Sequence, residues 1–434
     1  MTARLDGTWR QGAEPVRRVY LFGLFGSGNS GNDASLEAML TFLRRRPGIE
    51  PVCICSAPEQ VAARYGIHAV HFGARLAGGS LFNALDRLLG GLPRRAVGFG
   101  RAVLMASRAD ALIFPGTGIL DDFGTGPFGM PIAVFGWCLG ARLGGVRIAF
   151  VSIGAGPIQH PLSRWLMGRA AAMAQYRSYR DVGSRDFMSS IGVTTECDAV
   201  FPDLAFALPI PPVPSADPMP ASQPVLTVGL GVMGYYGWSH DLHAGAGIHR
   251  AYLDKLRRFA LWLFDQGCRV RLLTGDTGDR ETVEELAALL RAERPGMAAD
   301  LLCAEPTADL HALMGQIAGT DLVVATRFHN IVAALKLGRP VLSIGYASKN
   351  DELLAEMGLA DFCQHIETLD VDRLIDQFSA LRQARAEHGR RICERVAVYR
   401  LRLDDQDALL AARLPLAPRP TRGPTMINRK EQGT

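Results

Sequence analysis

Arg327 and His329 stand two residues apart where an apolar run gives way to a helical pattern. The run 322–325 reads as an interior strand, and Ile331, Val332 and Leu335 follow at helical spacing. The pair then sits at a helix N-terminus, beside backbone N–H groups with no helical partner. A guanidinium fork fits a carboxylate or a phosphate, and an imidazole moves a proton near neutral pH. A solvent-facing arginine beside a core histidine is the plainer alternative; position at a strand end favours the anion site. Phe328 shares the turn. Lys349, just past the apolar run 341–345, could bring its ammonium to the same anion, and a surface lysine fits there equally well.

Three further loops follow strand-like runs. At 23–33 the chain reads GLFGSGNSGND. Its glycines, Gly28 and Gly31 among them, let backbone N–H groups approach a ligand at the start of a helix. Asn29, Asn32 and Asp33 add polar groups, and Asp33 also reads as a helix cap. Gly26, Gly28 and Gly31 spell GxGxxG, but the next strand-like run, 52–55, ends without the acidic residue that a ribose needs. No Lys-Ser/Thr pair follows either, so neither a dinucleotide nor a P-loop site is expected. The turn FPGTGILDD at 114–122 offers Gly116 and Gly118 for close approach, with Asp121 and Asp122 as carboxylates; a purely structural turn explains it nearly as well. The loop 231–247 carries Tyr235, Tyr236, Trp238, His240 and His243, which suit sugar stacking and a lid. Its HxxH spacing has neither a third ligand nor a glutamate, so no metal site is expected.

These loops need a scaffold that aims strand ends at one another. Short apolar runs at 19–25, 52–55, 111–114 and 146–153, with weaker ones at 176–180 and 203–206, alternate with helical patterns at 34–45, 80–89, 130–143 and 162–175. Such alternation predicts a parallel sheet with right-handed crossovers. Residues 209–224 hold seven prolines and break the pattern as a stiff spacer. Alternation then resumes through strands at 225–232, 270–273, 322–325 and 341–345. A long helical stretch from 371 to 414 is expected to pack back across the first half. The organisation read from this is a domain at 1–208 on the acceptor side, a linker at 209–224, a donor-side domain at 225–414, and a disordered end at 415–434. The fold class is α/β, with two Rossmann-like doubly wound domains facing across a cleft, where open α/β sheets bind ligands.

Composition excludes several classes. The 434 residues are too many for one ordinary core. A net charge of +4 with no basic stripe argues against nucleic acid. Basic clusters such as Arg44-Arg45-Arg46 read as solvated helix faces, with some room for peripheral contact with an anionic membrane surface. The eight cysteines form no CxxC pair and read as reduced thiols. Neither a signal peptide nor a membrane-spanning helix is expected. A cytoplasmic protein follows, with the inner face of the cytoplasmic membrane as a working place.

From about residue 19 to 358 the chain resembles the polysaccharide pyruvyl transferase family. The resemblance rests on GLFGSGNSGNDA, on FPGTGILDD, on Tyr179-Arg180-Asp181 with Pro202-Asp203, and on Arg327-Phe328-His329 through LKLGRPVLSIGYASKNDELLAEMGL. It implies a glycosyltransferase-B-like fold and transfer of a pyruvyl group from phosphoenolpyruvate to sugar hydroxyls, usually as a ketal. No cofactor beyond that co-substrate is implied, and the saccharide acceptor is free or lipid-linked. It also implies that Arg327 and His329 handle the donor, with His329 protonated beside the dianion. Asp33, Asp121 and Asp122 are candidate bases for acceptor hydroxyls. Where the family has Gly-Asp-Glu in its opening loop, this chain has Gly31-Asn32-Asp33. Two rival readings stand beside this one: a nucleotide-sugar-dependent glycosyltransferase, and an inactive scaffold in polysaccharide assembly.

Overall fold

Runs of Val, Ile, Leu and Phe that are apolar on both faces become interior parallel strands, as burial between two helix layers requires. The computed structural model describes residues 16–73, 83, 86–88, 91–122, 125–212, 225–237, 242–414 and 416. Most of the helix expected at 80–89, the proline segment from 213 onward, Trp238 and His240, the side chain of His243, and all of the C-terminal end but Leu416 lie outside the described residues.

The first half contains β1 (Arg17–Phe22), β2 (Ile49–Cys55), β3 (His68–His71), β4 (Ala111–Pro115), β5 (Arg147–Ile153), β6 (Tyr176–Tyr179) and β7 (Ala199–Val200). They form one parallel sheet in the order β3-β2-β1-β4-β5-β6-β7. The second half contains β8 (Thr227–Val232), β9 (Arg269–Thr274), β10 (Leu302–Cys303), β11 (Leu322–Ala325), β12 (Val341–Gly345) and β13 (Cys363–His365). Their parallel order is β10-β9-β8-β11-β12-β13. In each sheet the winding reverses once, between β1 and β4 and between β8 and β11. Loops leaving those strand pairs diverge and leave a crevice at the strand ends.

One expected strand is not one. Residues 203–206 enter the 3-10 turn Leu204–Ala207, because the Asp203 carboxylate accepts the backbone N–H of Ala205 at 2.9 Å. A local cap of this kind outweighs a short apolar run. The edge strands β3 and β7 carried no sequence signal, being short and only partly buried.

A continuous apolar core joins the halves: Leu36, Phe206, Ile331, Leu335, Phe378 and Leu410 all belong to it. Polar contacts add to the seam. Lys336, buried, donates to the carbonyls of Phe206 and Leu208 at 2.8 Å each, and His311 meets Glu37 at 2.6 Å. The helical stretch at the C-terminal side is two helices, Val371–Gln383 and Arg385–Arg413. The second returns to the first sheet. There the buried Gln406 amide accepts from Ser152 Oγ and donates to Ser178 Oγ, and Arg402 donates to the carbonyl of Val200.

Candidate functional site

The turn after β11 is fixed from two sides at Thr326. Thr326 Oγ1 shares a 2.8 Å hydrogen bond with the Tyr252 hydroxyl, and its carbonyl accepts from Asn350 Nδ2 at 3.2 Å. Arg327 is extended and opens the helix Phe328–Lys336 without a side-chain cap. The first turn of that helix therefore has no side-chain acceptor, and the Asn330 N–H turns back to the Arg327 carbonyl at 3.1 Å.

Arg327 is gripped by a buried carboxylate. Its Nε donates to Asp279 Oδ2 at 2.9 Å and its Nη2 to Oδ1 at 2.6 Å, while Asp279 also accepts from Gly234 N at 3.0 Å. This bidentate fork fixes the guanidinium plane and leaves Nη1 outside the pair.

His329 lies across the seam. A Cβ placed on Gly31 would sit 1.8 Å from His329 Cε1, so only glycine at that position leaves room for the ring. Its Nε2 is buried without a hydrogen-bond partner, 3.9 Å from Asp203 Oδ2. Burial lowers its pKa to about 4; Arg180, Lys349 and Arg327 push the same way, and Asp203 only partly opposes them. From sequence, His329 is expected to be protonated beside the donor dianion. In the ligand-free protein the imidazole is neutral, because desolvation and three nearby cations outweigh one carboxylate.

Arg180, at the end of β6, enters the same cluster from the first half. Its Nη1 donates to Asp203 Oδ2 at 3.4 Å, and its guanidinium lies 5.2 Å from the Phe328 ring centroid. The Lys349 ammonium lies 5.6 Å from that same ring and 5.0 Å from the ring of Tyr346. Burial alone would raise the Tyr346 phenol, but Lys349, Arg327 and Arg180 bring it below its ordinary value. An opening between the halves is lined by Arg180, Asp181, Phe328, Lys349 and Glu352. Cations thus converge from β6, β11 and the helix Ser348–Glu356 on one uncapped helix terminus.

The opening glycine loop contributes through fit. Asn29 caps the helix Ser30–Arg44 by accepting from Gly31 N and Asn32 N, and its Nδ2 donates to Asp276 Oδ2 at 3.1 Å across the seam. Gly28, at φ +91°, leaves room for Thr277, whose N–H donates to the Gly28 carbonyl at 3.2 Å. The Asn32 amide turns back to the carbonyl of Leu24.

Several expected site residues point elsewhere. Asp33 accepts from Gly26 N at 2.8 Å and faces Arg64 at 3.8 Å, so its carboxylate braces the loop on the side away from His329. Asp122 accepts from the backbone of Gln159 and His160 and closes a turn. Tyr235 is buried against Tyr252 and donates to Glu367, and Tyr236 stacks on His249 with ring centroids 4.4 Å apart. The two tyrosines therefore do not make one sugar platform. In the second turn, Gly116, at φ +56°, packs against Ser35, whose Oγ donates to the Gly116 carbonyl at 3.2 Å. A Cβ on Gly118 would lie 3.6 Å from Arg180 Nη2 and 3.9 Å from Asp121 Oδ2, so that part of the turn does border the cluster.

Arg180, Asp203, Asp279 and Tyr346 were not singled out as site residues from sequence. For Arg180 and Asp203 the YRD and Pro-Asp motifs are a signal, and for Tyr346 the GYASK stretch that also carries Lys349; Asp279 sits in a turn without one. Among the described residues no three His, Cys, Asp or Glu side chains gather to hold a metal ion, and no helix is long and apolar enough to cross a membrane.

Comparison with known proteins agrees with the architecture. A family model described as polysaccharide pyruvyl transferase matches residues 29–348. No curated protein matches the chain. Among solved structures, the UDP-GlcNAc 2-epimerase of Neisseria meningitidis bound to UDP-GlcNAc superposes with a TM-score of 0.54 at 11% identity, covering 92% of this chain and 99% of that one. The UDP-GlcNAc 2-epimerase of Methanocaldococcus jannaschii gives 0.54 at 8% identity, covering 84% and 92%. The S. aureus MnaA–UDP co-structure gives 0.52 at 12% identity, covering 87% and 91%. At such identities the likeness concerns the fold, which is glycosyltransferase-B-like.

Proposed function

The chain belongs to the polysaccharide pyruvyl transferase family, and from that premise we propose that it transfers the pyruvyl group of phosphoenolpyruvate to sugar hydroxyls of an exopolysaccharide or cell-surface glycan precursor, closing a ketal. One observation carries the donor assignment. Arg180, Arg327 and Lys349 surround a largely buried, neutral imidazole at an uncapped helix N-terminus. A phosphate and a carboxylate on a small molecule need such a density of donors.

The reaction balances as follows. The donor's methylene carbon gains a proton and becomes a methyl group, two sugar oxygens bond to the central carbon, and inorganic phosphate leaves. One hydroxyl proton replaces the one delivered to carbon, and the other departs with phosphate or into solvent. Arg327 Nη1 and Lys349 hold the phosphate, and Arg180 holds the carboxylate. The arriving dianion makes His329 basic enough to carry a proton, so the acid is loaded only when the donor is bound. Phosphate departure is eased by the helix terminus and the cations. The acceptor enters past Gly118 and Asp121, and Asp121 is the carboxylate best placed to take a hydroxyl proton.

Phosphate release from phosphoenolpyruvate that requires a saccharide acceptor, and is lost in Arg327→Ala and His329→Ala, tests the reading. Wild-type turnover in both variants would overturn it. The nucleotide ligands of the superposed structures motivate a control: stabilisation by UDP, with none by phosphoenolpyruvate, would favour a nucleotide-sugar glycosyltransferase.

A further inference from the structure

Three helices lie side by side on one face of the first sheet: Leu92–Ala106, Met130–Leu143 and Pro161–Ala172. The middle one is drawn close to the first by Gly136 and Gly140, where a Cβ would meet the Phe99 ring at 2.9 Å and the Val103 backbone at 2.5 Å. Its outer side keeps Phe135 half-buried and leaves Leu143 70% exposed. On its flanks Leu104 is 53%, Phe128 55% and Trp165 52% exposed. These side chains lie on the outer sides of three adjacent helices, with Phe128 just ahead of the middle one. Phe135 and Trp165 are in ring contact at 5.6 Å, the Arg169 guanidinium covers Trp165 at 5.9 Å, and that of Arg95 covers Phe128 at 5.8 Å.

Among the described residues, the charge on these three helices has one sign. Between Asp122 and Asp181 the sequence contains no acidic residue, and the helix Leu92–Ala106 contains none either. Arg95, Arg101 and Arg108 lie exposed along one edge and Arg164 and Arg169 along the other. Exposed leucines and a tryptophan bordered by arginines fit the boundary between lipid headgroups and acyl chains. A second copy offering the same face would set arginine against arginine, which argues against self-association here.

We propose that this three-helix face docks on an anionic lipid bilayer. It seats the first half on the membrane with its apolar side chains at acyl depth and its arginines among the phosphates. Phe128 belongs to the segment that connects β4 to the second helix, and the Gly116–Asp121 turn opens that same segment. Docking there brings the crevice next to the headgroup layer. The proposal stands on this surface alone and is independent of the donor chemistry.

The test is flotation of the full chain with mixed phosphatidylcholine–phosphatidylglycerol vesicles, against pure phosphatidylcholine. Binding to the mixed vesicles, weakened by salt, is expected. Arg101→Ala and Arg169→Ala should each weaken it about fivefold, and the double variant Leu143→Glu/Trp165→Glu at least about tenfold. Arg101→Ala and Leu143→Glu alone should leave the melting temperature unchanged, because those two side chains are exposed. Leu401→Glu, on the exposed side of the helix Arg385–Arg413, should bind as wild type. A vesicle-induced blue shift of tryptophan fluorescence should vanish in Trp165→Phe. The proposal is overturned by absence of vesicle binding, by equal binding to uncharged vesicles, or by unchanged binding of the variants. It is also overturned if Leu143→Glu abolishes a concentration-dependent dimer in a chain that ignores vesicles; the face is then a protein interface.

Discussion

Donor binding should load a proton onto His329, and the size of the effect follows from its surroundings. In the ligand-free protein the imidazole is held at about 4 by burial and by Arg180, Lys349 and Arg327. A single negative charge about 4 Å from the ring, at an effective dielectric of about 20, favours the imidazolium by about 4 kcal/mol. At about 1.4 kcal/mol per unit that is about three units, which brings the bound pKa to about 7. Near pH 6 the free protein then carries about one proton per hundred sites, and the complex is about nine-tenths protonated. Phosphoenolpyruvate should therefore take up nearly one proton at His329 near pH 6 and about half of one near pH 7. Isothermal titration in buffers of different ionisation enthalpy measures this directly. Any proton taken by the phosphate itself appears equally in His329→Asn, so the difference between the two proteins isolates the imidazole. Equal uptake by both, or a His329 ring that titrates near its ordinary value in the free protein, would refute the reasoning.

Other perturbations have equally definite outcomes. Gly31→Ala puts a methyl group where the His329 ring stands, so the ring must leave; turnover should fall about a hundredfold with the fold retained. Gly315→Ala, where a Cβ meets nothing within 4 Å, is the control and should be neutral or slightly stabilising in a thermal melt. Asp279→Ala strands the Arg327 guanidinium; because Arg327 keeps partial solvent access, the loss should be about 3 kcal/mol by denaturant unfolding, together with weaker donor binding. Gly140→Ala drives a methyl group into the Val103 backbone and should cost about 1–3 kcal/mol by the same measurement, without touching the crevice. The folded pKa of His329 lies below its unfolded value, so its contribution to stability is present above about pH 6.5 and lost as pH falls through about 4. Relative to His329→Asn, the wild type should lose about 3 kcal/mol over that window, read from unfolding curves at successive pH values.

Much of this protein is legible in one dimension. Runs such as Leu322–Ala325 and Val341–Gly345 are too short and too apolar for anything but interior strands. The Arg-x-His pair follows the first of them directly, so its place at a strand-to-helix turn was readable from local periodicity. The turn at Asp203 was not, because a carboxylate that caps its own backbone leaves the hydrophobic pattern unchanged.

Sequence alone determined the winding of two parallel sheets and the place of Arg327 and His329 at a strand-to-helix turn, since both depend on backbone sterics and on spacing along the chain. Only the tertiary structure decided what the turn faces. Arg180 reaches Phe328 from the other half of the molecule, Gly31 clears a space for His329, and Asp33 and Tyr235 are drawn off by Gly26 and Glu367. The charge on the imidazole was likewise undecided until then. Burial and Coulomb interactions depend on distance through space, and Arg180, Asp203, Arg327 and Lys349 become neighbours of one ring only when the two halves close on each other.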